Sequence, residues 1–170
     1  NRFIRPTYFN GTAVRHLSHP FTTLVAGALA NPINANQIQV WNENSNASVA
    51  GSGWTNISDI NTVIAAGQGF AFNVAANSIV SVTGALNNGN VVREITRNAS
   101  GWNLVGNPYA QTIDWDAVTT DPAFDNTKIF AGRYHWVSAS SNTGGWIGYV
   151  NGFPAAYRSC LLYTSPSPRD

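Results

Sequence analysis

Two aspartates, Asp114 and Asp116, are the first candidates for chemistry in this chain, because only Trp115 separates them. Residues two apart on a β-strand lie on the same face, so the two carboxylates could chelate Ca²⁺ or act as an acid/base pair. In the structural alternative, Asp114 accepts hydrogen bonds from backbone amides at the start of a strand, and Asp116 caps the next turn. We favour the structural interpretation and predict neither a metal site nor a cofactor.

Three histidines, His16, His19 and His135, could form a metal or catalytic cluster. His16 and His19 are three apart in an extended segment, which points them to different faces, and no Cys or Glu lies at ligand spacing. Ser18, between them, lacks the Gly-x-Ser-x-Gly turn that presents a nucleophilic serine. We therefore expect surface or loop histidines and no enzymatic activity.

Four tryptophans, Trp41, Trp54, Trp136 and Trp146, each lie near Gly or Asn. A Trp ring can stack its π face on the axial C–H groups of a sugar, or it can bury a large apolar area in a core. Trp41 and Trp136 lie in strand patterns and are expected to be core residues. Trp54 and Trp146 each follow a Gly-rich loop that could lift the ring to the surface, so they are the candidate glycan-binding residues.

The segments that would position these residues mostly have the two-residue periodicity of β-strands. Strands are predicted at residues 37–41, 69–74, 78–83, 91–96, 128–130 and 133–136. The strands at 78–83 and 91–96 are expected to form a hairpin, because the Asn88-Gly89 step between them tolerates positive φ. Helical spacing occurs at residues 22–30, before Asn31-Pro32. The pattern predicts an all-β fold, an antiparallel β-sandwich with less than about a tenth of its residues in helices.

The chain also contains a degenerate internal repeat. Three pairs of segments align: 16–21 with 104–109, 37–41 with 132–136, and 51–54 with 144–146. We predict two β repeats packed together, a complete one over residues 1–100 and an incomplete one over residues 101–159. The alignment also predicts that Trp41 and Trp136 occupy the same local backbone.

Residues 101–116 read Gly-Trp-Asn-Leu-Val-Gly-Asn-Pro-Tyr-Ala-Gln-Thr-Ile-Asp-Trp-Asp. They resemble the GWNLIGNPYPSPIDWD signature of large secreted and cell-surface proteins of Bacteroidetes-type bacteria. In that family the segment lies in β-rich domains, often shortly before a C-terminal type IX secretion sorting domain. Residues 15–20 resemble the family's W-R-x-L-S-S-P opening, and residues 63–70 resemble its I-x-P-G-Q-G-F-F-V segment. The chain departs from these patterns at three positions, His19, Ala66 and Ala110. The resemblance implies a location outside the cell or on the outer-membrane surface, and it implies no particular reaction.

Composition excludes several classes of function. Charged residues make up 10% of the chain, the net charge is +1 and Lys128 is the only lysine, so no basic patch is available for nucleic acid. No apolar run reaches the roughly 20 residues of a membrane-spanning helix. Aromatic residues at 12% argue against disorder.

The last residues, 160–170, read Cys-Leu-Leu-Tyr-Thr-Ser-Pro-Ser-Pro-Arg-Asp and resemble a translated sequencing adaptor. We expect this tail to be non-native and leave it out of the domain. The only cysteine, Cys160, lies in it, so the sequence predicts no disulfide framework.

Together these patterns predict a non-enzymatic extracellular module, structural or adhesive, of a larger type IX-secreted surface protein. Its expected partners are neighbouring domains of the same longer chain, and extracellular polysaccharide or cell-surface glycans. The alternative is a carbohydrate-binding accessory module attached to an upstream hydrolase.

Overall fold

The computed structural model describes residues 2–4, 7–9, 13–44, 53–74, 78–99, 101–125, 133–137 and 145–149. The strand predicted at 128–130 and the tail at 160–170, with Cys160, lie outside the described residues. Among the helices of the described part, none is long and apolar enough to cross a membrane.

The described chain consists mainly of short β-strands. In chain order these are β1 (Arg2–Ile4), β2 (Thr7–Phe9), β3 (Ala13–Leu17), β4 (Leu24–Val25), β5 (Ile38–Trp41), β6 (Trp54–Asn56), β7 (Val63–Ile64), β8 (Phe70–Val74), β9 (Ser78–Val80), β10 (Thr83–Ala85), β11 (Arg133–Val137) and β12 (Gly145–Tyr149). A 3-10 turn covers Ala26–Ala28 and helix α1 covers Trp115–Thr120. The strand pairs are antiparallel throughout the described residues, which confirms the predicted all-β antiparallel class.

A four-stranded sheet with the order β3-β8-β5-β6 forms the centre of the fold. Phe70 and Phe72 alternate along β8 and are both almost completely buried, whereas Asn73 between Phe72 and Val74 is exposed. This alternation places Phe70, Phe72 and Val74 on one buried face of β8. On the opposite face Ala71 is buried as well, and Asn73 is exposed. The strands predicted at 37–41 and 69–74 are therefore confirmed. The core cluster comprises Leu24, Ala26, Ile38, Ile57, Ile64, Phe70, Phe72 and Val74.

The hairpin predicted from 78–83 and 91–96 is wrong. Strand β9 pairs with β2, and β10 pairs with β1, so the N-terminal strands take the positions that a hairpin partner would occupy. Residues 91–97 form no strand. Local periodicity indicated strand character at 91–96, but the hydrogen bonds of the following residues go to a distant side chain, Glu43, instead of a neighbouring strand.

The helical spacing at 22–30 also gives a different structure. Leu24 and Val25 form β4, which pairs with β7 in the register Leu24↔Ile64 and Val25↔Val63. Helical structure is limited to the 3-10 turn at Ala26–Ala28. Pairing with β7 buries Leu24 in the core while leaving Val25 exposed, an alternation that an extended segment satisfies and a helix does not.

The chain divides into two compact units, Asn1–Ile113 and Asp114–Asp170. Residues 101–113 belong to the first unit, and the division into repeats over 1–100 and 101–159 stays a prediction. The amide of Gly69 donates to the carbonyl of Leu104 (3.1 Å), and the amide of Gly106 donates to that of Gly67 (2.9 Å). The first part of residues 101–116, called the family-like segment below, is thus hydrogen-bonded to the residues that directly precede β8.

The two units contain hairpins with the same register. In the first unit, β5 and β6 pair Trp41 with Trp54. In the second unit, β11 and β12 pair Trp136 with Trp146, and the strand predicted at 133–136 is confirmed. Segments that align in the repeat therefore form antiparallel hairpins in which one tryptophan lies opposite another.

Candidate functional site

The carboxylate of Glu43 is enclosed by the loop that leads into the family-like segment. Glu43 is buried, with 6% of its surface exposed. Its oxygens accept hydrogen bonds from the backbone amides of Asn98 (3.0 Å), Ala99 (2.8 Å) and Gly101 (2.8 Å), and from the hydroxyl of Thr96 (3.0 Å). One side chain thus binds the backbone at Asn98, Ala99 and Gly101, which no strand pairing holds.

These donors determine the charge state of Glu43. Hydrogen bonds from the amides of Asn98, Ala99 and Gly101 lower the pKa of Glu43 from 4.5 to about 2, and burial opposes them only in part. The carboxylate is therefore ionised at any physiological pH. Because its lone pairs are directed at backbone donors, Glu43 acts as a structural anion and not as a general acid or base.

The polar side chains of the family-like segment bind backbone groups. The indole N–H of Trp41 donates to the backbone carbonyl of Trp102 (2.7 Å). The side-chain amide of Asn103 donates to the backbone carbonyl of Thr96 (2.8 Å). The hydroxyl of Tyr109 donates to the carbonyl of Gly89 (3.0 Å). Such bonds satisfy carbonyls in irregular loops that no sheet ladder can satisfy.

Two segments aligned in the repeat, 16–21 and 104–109, lie side by side in the first unit. The hydroxyl of Ser18 donates to the carbonyl of Asn107 (3.0 Å). The side-chain amide of Asn87 donates to the carbonyls of both Phe21 and Pro108, each at 2.9 Å. Asn87 therefore ties the two proline-containing segments together.

His19 lies in a loop, as predicted, but it is buried and not at the surface. Its Nδ1 accepts a hydrogen bond from the amide of Phe21 (3.3 Å), and its Nε2 lies 2.9 Å from the carbonyl of Ile64. These partners assign the neutral tautomer with the proton on Nε2, since a carbonyl only accepts. His16 is half-buried, and burial lowers the pKa of both His16 and His19. The side chain of His135 lies outside the described part.

Burial of neutral His19 makes stability depend on pH. Its pKa in the folded protein is below the ordinary 6.5, chiefly through burial, so the unfolded chain binds a proton that the folded protein does not. The contribution is complete above pH 6.5 and is lost as pH falls through the folded pKa. We expect the free energy of unfolding to fall by up to about 1.4 kcal/mol per pH unit per histidine in this window.

Thermal unfolding between pH 7.5 and 4.5 tests this dependence. His19→Asn is expected to reduce the decline in melting temperature as the pH falls. His16→Asn is the matched comparison, because the pKa of His16 is lowered in the same direction as that of His19. Equal slopes for the wild type and His19→Asn would contradict a buried neutral imidazole at position 19.

Trp54 and Trp41 pack on each other and on their surroundings. Their rings meet edge-on with centroids 5.4 Å apart, and the ring of Trp54 also contacts that of His16, with centroids 5.4 Å apart. Both tryptophans are half-buried, so Trp41 does not belong to the buried core cluster. Glycan binding by Trp54 stays a prediction, with only part of its ring accessible. The side chain of Trp146, like that of Trp136, lies outside the described residues.

Asp114 caps a helix, and the strand assumed for the Asp114–Asp116 pair is wrong. The carboxylate of Asp114 accepts a hydrogen bond from the amide of Ala117 (3.3 Å), and its carbonyl accepts one from Val118 (3.2 Å). An aspartate at this position satisfies an otherwise unpaired amide at the start of α1. Residues two apart on a helix do not share a face, and the side chain of Asp116 is not described. In the described part of the chain, no three His, Cys, Asp or Glu side chains are grouped to hold a metal ion.

A cleft of about 460 Å³ lies beside the family-like segment. Its lining includes Asn44, Thr55, Arg93, Glu94 and Asn103. The sequence patterns did not single out this cleft, since its residues come from strands β5 and β6 and from separate loops, and no spacing connects them.

Trp102, like the cleft, was not singled out by the sequence patterns. It lies directly before Asn103, which lines the cleft, and 55% of its surface is exposed. The available signal was its place in the family-like segment. It was passed over because it does not recur in the aligned repeats.

Comparisons with known proteins identify no family for this chain. No protein-family model, no curated protein and no solved structure matches the chain. The functional conclusion therefore rests on the contacts described above and on the resemblance of residues 101–116.

Proposed function

We propose that this chain is a non-enzymatic extracellular module, structural or adhesive, of a larger type IX-secreted surface protein of a Bacteroidetes-type bacterium. One observation carries the proposal: polar groups of the family-like segment, among the described residues, form hydrogen bonds that hold the backbone of the first unit together. The amide of Gly101 binds Glu43, the side chain of Asn103 binds Thr96, and the hydroxyl of Tyr109 binds Gly89. A segment that makes such hydrogen bonds stabilises the fold.

The architecture is consistent with a module repeated along a longer chain. The matching registers of the β5–β6 and β11–β12 hairpins support two related β repeats. We extend the proposal to a sandwich arrangement of the antiparallel sheets in each complete repeat. Neighbouring domains of the same chain would then be the first partners of this module.

Cell-surface labelling tests the location. Antibodies raised against the recombinant chain are expected to label intact cells of the source bacterium, and to lose that labelling when type IX export is disabled. Labelling only after the cells are permeabilised, in both strains, would contradict the proposal. An antibody against a cytoplasmic protein of the same cells controls for their integrity.

A carbohydrate-binding accessory module is the second candidate. The observation that favours it is the cleft whose lining includes the polar residues Asn44, Thr55, Arg93, Glu94 and Asn103. A catalytic domain upstream in the same gene product would support the accessory role, whereas long tandem β repeats would support the structural or adhesive role.

A further inference from the structure

Residues 101–109, called the donor segment below, belong to one repeat by sequence and to another by their contacts. The predicted alignment places them at the start of the second repeat, because residues 104–109 align with residues 16–21. The contacts place them in the first unit, which ends at Ile113. The segment that would open the second repeat is therefore bound by the first unit.

Backbone hydrogen bonds join the donor segment to the residues that directly precede β8. The amide of Gly69 donates to the carbonyl of Leu104 (3.1 Å), and the amide of Gly106 donates to the carbonyl of Gly67 (2.9 Å). The residues between these two bonds lie opposite each other in an antiparallel bridge. Main-chain bonds of this kind are the means by which a protein adds an extended segment from elsewhere to one of its strands.

Two glycines of the donor segment cannot be replaced without strain. At Gly101 φ is 74°, a conformation that side chains rarely adopt, and its amide donates to the carboxylate of Glu43 (2.8 Å). A Cβ at Gly106 would overlap the Cβ of Ser18. The hydroxyl of Ser18 donates to the carbonyl of Asn107 (3.0 Å), so the close approach at position 106 belongs to a hydrogen-bonded contact.

The first unit has a matching feature for the leucine of the donor segment. A Cβ at Gly69 would lie 2.6 Å from the Cγ of Leu104, so Leu104 packs directly on a backbone without a side chain. The side-chain amide of Asn87 donates to the carbonyl of Pro108 (2.9 Å) and holds the end of the segment. The groups that bind the donor segment form what we call the acceptor site: Ser18, Glu43, Gly67, Gly69 and Asn87.

The acceptor site distinguishes the two aligned segments of the repeat. By the alignment, Ala13 corresponds to Gly101 and Ser18 corresponds to Gly106. A side chain would strain the backbone at the first of these positions and overlap the acceptor site at the second. The segment with Ala13 and Ser18 instead pairs with β8 as strand β3. Glycine at both positions thus marks a segment that this site can bind.

We propose that the acceptor site is a docking site for the Gly-Trp-Asn-Leu-x-Gly-Asn-Pro segment that opens a following repeat, so that consecutive repeats are joined by a donated segment. In this chain the occupant comes from its own second repeat. In the longer chain, the partner of each complete repeat is the next repeat in sequence. The inference rests on the proposed modular function and names the contact through which neighbouring modules associate.

Cleavage of the full chain between acceptor and donor tests whether the contact holds without a covalent link. A protease recognition sequence is inserted between Val92 and Arg93, where no strand forms and 91% of the surface of Val92 is exposed. After cleavage, the two pieces are expected to elute together in size-exclusion chromatography under native conditions. They should separate in concentrated urea.

Labelled synthetic peptides of residues 93–113 then test recognition by competition. Added in excess to the cleaved protein in urea, which is then removed, the wild-type peptide is expected to replace the C-terminal piece. Peptides with Gly101→Ala or Gly106→Ala should need about tenfold higher concentrations, because a methyl group at either position strains or overpacks the contact. A peptide with Gln111→Ala is the matched control, since residue 111 is exposed and its bond to Asn107 uses its backbone carbonyl. Because these changes lie in the peptide, none of them affects the acceptor site.

Three results would overturn the proposal. These are separation of the two pieces under native conditions, failure of the wild-type peptide to replace the C-terminal piece, and equal competition by the wild-type, Gly101→Ala and Gly106→Ala peptides. Each of them leaves the outcome of the cell-surface labelling unchanged. Failure of that labelling would in turn leave peptide binding measurable, so the failure of the docking site and the failure of the proposed location are distinguishable.

Discussion

Replacing Glu43 with Gln is expected to lower the melting temperature by roughly 10 °C, because it removes the charge that the donors of the 96–101 loop surround. The amide of Gln would also bring its own N–H group toward the amides of Asn98, Ala99 and Gly101. Differential scanning calorimetry of the wild type and variant at pH 7 gives the shift.

The exposed neighbour Glu94 provides the matched control, since Glu94→Gln removes the same charge from the same region. Its melting temperature is expected to stay within about 2 °C of the wild type. Since the pKa of Glu43 is lowered, its contribution is complete above pH 4.5 and is lost as pH falls through about 2. Equal melting temperatures for Glu43→Gln and the wild type would show that the loop does not depend on this carboxylate.

Gly106→Ala is expected to destabilise the protein by about 1–3 kcal/mol through overpacking. A Cβ at position 106 would lie 2.2 Å from the Cβ and 2.9 Å from the Oγ of Ser18, so one of the two aligned segments must move. Chemical denaturation with urea measures the change. Gly89→Ala is the control, because a Cβ there meets nothing within 4 Å.

A double variant tests whether this contact is the cause. Ser18→Gly removes both side-chain atoms that the new methyl would meet, so Ser18→Gly with Gly106→Ala should cost less than the sum of the two single changes. Strict additivity would contradict direct contact between residues 18 and 106.

Sequence periodicity was sufficient to predict a strand where large apolar side chains recur at every second residue. Residues 69–74 were predicted because Phe70 and Phe72 alternate with smaller or polar residues, and they form β8 at the centre of the sheet. Periodicity predicted a strand at 91–96 that does not form, because the groups that determine the structure there are distant in sequence. Strands β1 and β2 pair with β10 and β9. The carboxylate of Glu43 binds Thr96, Asn98, Ala99 and Gly101.

The candidate site was harder to predict for the same reason. Glu43 looked like an ordinary charge in a polar loop, since the amides that it binds lie more than fifty residues further along the chain. Asp114 was recognised as a residue that binds backbone amides, but the local pattern did not show that those amides start a helix.

Amide hydrogen exchange followed by NMR tests most directly whether the family-like segment braces the fold. The amides of Gly101 and Gly106, which bind Glu43 and the carbonyl of Gly67, are expected to be protected and to exchange together with the core amides of β8. Exchange of both at the rate of an unstructured chain, while β8 stays protected, would contradict the structural role proposed for this segment.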